Sequence, residues 1–234
     1  MHNGSVMLSA LPYAREEILL GARIFKGVSF LDQEATENNF KSLYPAPSIL
    51  HLAMHILIED RAPEKSRLIF TGTTDSIEDG NLFTYEIYNT IIDCQLAILS
   101  ACNSGYGKVS KGEGIMNLSR AFMYAGCPNI VMSLWRARDE PTFTIVSGFL
   151  KYLKGDLSKI DALRQAKLDY LAGADPLQAH PSNWATLILV GDAGTLQYSE
   201  GRLKYLIGLL ALPLLLWVVY IIFKGKLQSN LTEF

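Results

Sequence analysis

Short apolar runs alternate along the chain with longer stretches in which apolar residues recur every three or four positions. The short runs predict strands near Ala22–Phe25, Ser48–Met54, Arg67–Phe70, Gln95–Ser100, Asn129–Leu134 and Thr186–Val190. The periodic stretches predict helices near Ala14–Gly21, Glu34–Ser42, Thr84–Ile91, Glu113–Ala125, Glu140–Leu153 and Ser158–Ala172. The most regular is Glu113–Ala125, where Ile115, Leu118, Phe122 and Ala125 follow helical spacing and Gly126 supplies a C-terminal stop. Strands alternating with helices are the mark of βαβ units, so the fold class is α/β with a mostly parallel sheet. Polar, turn-rich stretches at Arg61–Ser66, Gly72–Asn81 and Ala174–Asn183 read as loops, and no internal repeat is evident.

One further segment breaks the alternation. Tyr205–Phe223 is 19 residues without a charge, flanked by Arg202 and Lys204 on one side and Lys224 and Lys226 on the other. As a helix it would be roughly 28 Å long, about the hydrocarbon thickness of a bilayer. Tyr205, Trp217 and Tyr220 fit the interfacial habit of aromatic residues, and a membrane helix tolerates Pro213. The alternative, a buried core helix, fits poorly with a segment that is apolar all round and follows the last soluble strand. The expected organisation is therefore a globular domain over residues 1–195, a juxtamembrane linker over 196–204, a transmembrane helix over 205–223 and a short tail over 224–234. The N-terminus has no basic region followed by an apolar run, so no signal peptide is expected. That predicts a single-pass, tail-anchored protein with its N-terminal domain in the cytoplasm, and reduced thiols at Cys94, Cys102 and Cys127.

Composition narrows the function. The chain has 234 residues, a net charge of −2 and 49% hydrophobic residues, which is enough for a sizeable core. Residues 1–201 carry −5 and the remainder +3, so the globular part lacks the basic excess that phosphate neutralisation requires. Nucleic acid is not an expected partner.

Two apolar strands run into residues with chemistry, one through His51 to His55 and one through Ser100 to Cys102. Ligands gather at the carboxyl ends of strands in an open parallel sheet, and a cysteine beside an imidazole becomes a thiolate near neutral pH. The 47-residue gap from His55 to Cys102 also fits the histidine-first order of caspase-like enzymes. A metal reading of His51 and His55 fails on spacing, because four residues of strand separate the rings by roughly 13 Å. Gly105-Tyr-Gly107-Lys108 lacks the flanking glycine and hydroxyl of a phosphate loop, and Gly112-Glu-Gly114 reads as a tight helix start. His51, Cys94 and Cys127 read as structural, His180 as a turn residue before Pro181, and Asp139-Glu140 before Pro141 as a helix start.

Taken in order, the runs Ile49–His55, Asp79–Leu82 with Tyr85–Ile87, Leu99–Gly105, Gly112–Ile115, Ser119–Gly126, Ser133–Trp135, Ala162–Ala166 and His180–Asp192 resemble the CHAT family of caspase- and separase-related cysteine peptidases. The resemblance covers about residues 8–192. It implies a caspase-like three-layer sandwich and peptide-bond hydrolysis without metal or cofactor. Cys102 would be the nucleophile and His55 the general base and acid, with the oxyanion held by the backbone N–H groups of Ile56 and Cys102. Asp139 matches one of two acidic residues usual after Ser-Leu-Trp and would favour a basic residue before the scissile bond. Expected partners are a protein substrate, which the tail would favour at the membrane, and a chain supplying helical repeats or the family's upstream half. Where the family usually has glycine after the histidine, Ile56 stands, which would be strained if that position required positive φ. The alternative function is therefore a tail-anchored interaction module that keeps the fold without efficient catalysis.

Overall fold

The protein is described by a computed structural model over residues 10–43, 47–59, 61–72, 79–100, 113–135 and 138–197, with backbone only for 113–117. Its strands are β1 (Ile49–Leu52), β2 (His55–Leu57), β3 (Arg67–Ile69), β4 (Asn81–Phe83), β5 (Leu96–Leu99), β6 (Ile130–Ser133) and β7 (Leu187–Val190). Its α-helices are α1 (Ala14–Phe25), α2 (Glu37–Lys41), α3 (Thr84–Ile87), α4 (Glu113–Tyr124), α5 (Asp139–Lys154), α6 (Lys159–Gly173) and α7 (Pro181–Trp184). They belong to a compact unit that ends at Leu196.

β5 and β6 are buried at every position, so each needs cover on both faces. They lie at the centre of a four-stranded sheet of order β1-β5-β6-β7, parallel from β1 to β6 and antiparallel at β7. On one face, Leu50, Leu52, Ala97, Leu99, Ile130 and Met132 join Leu118, Ala121 and Phe122 of α4 in the main core. The same core takes in Ile56, Leu68 and Leu82, one from each strand of a small antiparallel sheet of order β2-β3-β4. On the other face lie the helices, where α5 packs on α6 and α1, α1 reaches β1, and α6 reaches β7. This mixed α/β arrangement with a mostly parallel sheet is consistent with a caspase-like fold.

Three sequence expectations need correction. The apolar run Ala22–Phe25 is not a strand; it completes α1, which stops at Lys26 in the left-handed conformation with its N–H bonded to Ala22 O. Gly21 is no helix terminus either: it lies within α1, and a Cβ there would sit 3.3 Å from His51 Nδ1. The glycine makes room for a ring. The run Ser48–Met54 ends as a strand at Leu52, and His55 opens β2 in the second sheet. Finally, Cys94 and Cys127 are not free thiols but a disulfide with a Cα separation of 4.8 Å. They precede the neighbouring parallel strands β5 and β6, a proximity that 33 residues of sequence separation do not disclose.

The run ending in Asp192 has a structural reason for its glycine. Gly191 has φ of +116°, and a Cβ on it would come within 2.3 Å of Pro128 O. Only glycine fits the approach of these two chain segments. Asp192 then donates its N–H to Asn129 Oδ1 at 2.7 Å and takes Lys159 Nζ at 3.2 Å, closing α6 onto the end of β7.

Both sulfurs are buried, and in the chain-entropy description a link across 33 residues adds about 3.5 kcal/mol. Urea unfolding with and without a phosphine reductant is expected to show a stability loss of about that size, reproduced by Cys127→Ser without reductant.

Candidate functional site

The parallel pairing of β1 with β5 sets the site. In register, His51 lies opposite Ile98 and Leu52 opposite Leu99, and the Ser100 N–H continues the ladder to Leu52 O at 3.2 Å. Both strands therefore run out at the same edge. Three residues beyond β1, His55 begins β2 opposite Ile69, partly buried on the face away from the core row Ile56, Leu68 and Leu82. Cys102 follows Ser100 by two residues in sequence and lies outside the described residues, as does the oxyanion role assigned to its N–H.

Ile56 is a strand residue whose side chain packs in the core at 7% exposure, and its φ is not positive. The strain expected of a β-branched residue in the usual glycine position does not arise.

Asp139 is the first residue of α5 and accepts the Tyr13 N–H at Oδ2, 2.9 Å away. The Tyr13 ring stacks on Phe143 one turn further along α5, with centroids 5.3 Å apart. Its carboxyl pKa is raised, chiefly because burial disfavours the charge; the Tyr13 N–H pulls it back, Glu17 adds to the rise, and His55 opposes it. His55 and Asp139, separate in sequence, thus share one electrostatic neighbourhood. A half-buried acid kept at a cost to the fold is a mark of functional sites.

The sequence reading missed a polar cluster beside them. Glu17 of α1 is 3% exposed. Its Oε1 lies 2.6 Å from His51 Nε2 and accepts the Ser100 hydroxyl, while Ser100 Oγ is also 3.3 Å from His51 Nε2. These are the residue types of a serine-hydrolase relay, but not its geometry. A relay needs the carboxylate on one ring nitrogen and the hydroxyl on the other. Here both sit at Nε2, and Nδ1 is buried without a partner among the described residues. The signal available in sequence was Glu17 and Gly21, four apart and so on one helix face, but nothing local connects them to His51.

Of the other candidates, His180 caps α7 by accepting the Ser182 N–H at 3.2 Å. Cys94 and Cys127 are occupied by their disulfide and are not nucleophile candidates. Among the described residues no group of three or more histidine, cysteine, aspartate or glutamate side chains could hold a metal ion. Also among them, no helix is long and apolar enough to cross a membrane; residues 205–223 lie outside the description.

The CHAT domain model matches residues 2–192, most of the chain. The chain belongs to the CHAT domain family. The match takes in β1, β2, β5 and the start of α5, so the elements that carry His55, Ser100 and Asp139 are family elements. Within curated proteins, this CHAT chain is 22% identical over 212 residues to tetratricopeptide repeat protein 28 of Homo sapiens, covering 77% of the chain and 8% of that protein. The Mus musculus protein of the same name is 28% identical over 100 residues, covering 43% of the chain and 4% of that protein. The chain therefore spans less than a tenth of the length of these relatives.

Two outcomes follow from this geometry. His51→Ala removes a donor from a buried carboxylate and should destabilise by about 3 kcal/mol in denaturant titration, with less loss in the His51→Gln variant, which keeps a donor. Asp139 has the opposite sign. Its raised pKa means that the folded state penalises the charge, a penalty absent below the unfolded value and complete above the folded one. Asp139→Asn is expected to gain stability over wild type as pH rises from about 4 towards 7, read by thermal melts across that range.

Proposed function

We propose that this CHAT chain is a membrane-anchored cysteine endopeptidase. Cys102 is the nucleophile. His55 takes the thiol proton, the thiolate attacks the scissile carbonyl, and the imidazolium returns the proton to the leaving amine; water then releases the acyl group from sulfur. Backbone N–H groups at Ile56 and Cys102 receive the oxyanion. The observation that supports the reading is the shared exit of β1 and β5: His55 follows β1 by three residues, and Ser100, two residues before Cys102 in sequence, makes the last described bond of the ladder to Leu52 O.

Asp139 supports a basic residue on the amino side of the cleaved bond, since a cation would relieve the charge that burial penalises. The segment 205–223 anchors the chain in a membrane. Anchoring raises the effective concentration of a substrate held at the same surface without any new contact.

A second reading is favoured by one observation: the relatives take their name from tetratricopeptide repeats, and repeat arrays stack helices into extended binding surfaces. In that case the chain is an interaction module, whose partner is a protein carrying such repeats.

The deciding experiment incubates the full chain, in mild detergent, with a peptide library varied at the residue before the cleaved bond. Cleavage after arginine or lysine, reduced at least about 1,000-fold by either Cys102→Ala or His55→Ala, is expected. Asp139→Asn should raise KM for those peptides about tenfold and leave folding intact. Cleavage indifferent to both Cys102 and His55, or none with any peptide or candidate protein, would favour the interaction module.

A further inference from the structure

We propose that Glu17, His51 and Ser100 are positioning residues that hold the end of β5, and with it the approach to Cys102, in register with the site; this rests on the peptidase reading.

Backbone pairing cannot do this alone. The ladder between β1 and β5 has its last described bond at Ser100 N–H to Leu52 O, because β1 ends at Leu52. The next anchor on that chain is the Ser100 side chain, whose hydroxyl is held by Glu17 Oε1 and lies 3.3 Å from His51 Nε2. Glu17 comes from α1 and His51 from β1, so three separate elements meet at one carboxylate oxygen.

α1 also holds the other side of the site. Its N-terminal neighbour Tyr13 donates its N–H to Asp139, one turn before Glu17. The strand that leads to Cys102 and the acid beside His55 therefore hang on one helix. Gly21, a further turn along, leaves space for the His51 ring. Packing alone would be served as well by apolar side chains, since replacing a buried ionic cluster with a well-packed apolar one is commonly neutral or stabilising. What an apolar cluster lacks is direction: hydrogen bonds fix the angle at which Ser100 leaves the sheet.

The test is the rate at which iodoacetamide alkylates Cys102, followed by peptide mapping from pH 5 to 9 on the full chain in mild detergent. In wild type the rate should rise with a midpoint below that of an ordinary thiol, and His55→Ala should move the midpoint up. Ser100→Ala is expected to raise it by about one unit, with Ser100→Thr restoring the wild-type curve. A merely structural role would lower the melting temperature and leave the midpoint where it is. If Ser100→Ala does not fold, Gly21→Ala replaces it, because its methyl crowds Nδ1 without deleting any polar group. If His55→Ala shifts the midpoint and neither Ser100→Ala nor Gly21→Ala does, the positioning role is overturned and the dyad stands. If His55→Ala itself causes no shift, the dyad fails and the positioning role with it.

Discussion

The parallel pairing of β1 with β5 is the constraint on which the rest depends. Parallel neighbours deliver their C-terminal ends to one edge, and that edge is where an open α/β sheet accumulates its chemistry. β5 is apolar and buried at every position, so both of its faces need cover and the sheet holds it at its centre. His51 opposite Ile98 and Leu52 opposite Leu99 follow from its register with β1. The turn from β1 into β2 then brings His55 to the same edge, while Ile56 points the other way into the core with Leu68 and Leu82.

Burial of charge at this edge shapes the energetics. Glu17 is nearly inaccessible and is compensated by two donors from different strands, whereas Asp139 has a single backbone donor in the described structure and a raised pKa. Both acids meet the first turn of α1, one satisfied and one only partly so. The difference shows in how each carries its charge: the satisfied acid is held by its donors, and the partly satisfied one bears the cost of burial as a raised pKa.

Several features were legible in the residues and for identifiable reasons. The β3, β5, β6 and β7 runs and the long helices α4, α5 and α6 emerge within a residue or two of their predicted bounds, because each follows a local period of apolar positions. Asp139 at a helix start follows from Pro141 nearby, whereas His180, read as a turn residue before Pro181, is the cap of the short helix α7. The strand mistaken at Ala22–Phe25 shows the limit of the method: four apolar residues carry no period, and Gly21 imitated a stop. The three-residue strands β2 and β4 are too short to show alternation at all. Cys94 and Cys127 were invisible as a pair because their link lies between strands, not along them.

By itself the sequence determined the α/β class, the family, the apolar segment 205–223 and the residue types available for catalysis, since all of these are written in local pattern or in ordered motifs. Tertiary structure alone decided which side chains share an environment. Glu17, His51 and Ser100 are 34 to 83 residues apart in their pairings, and Tyr13 and Asp139 are 126 apart. Such contacts arise from strand register and from the seating of α1 beside β1, and neither is encoded within any one segment.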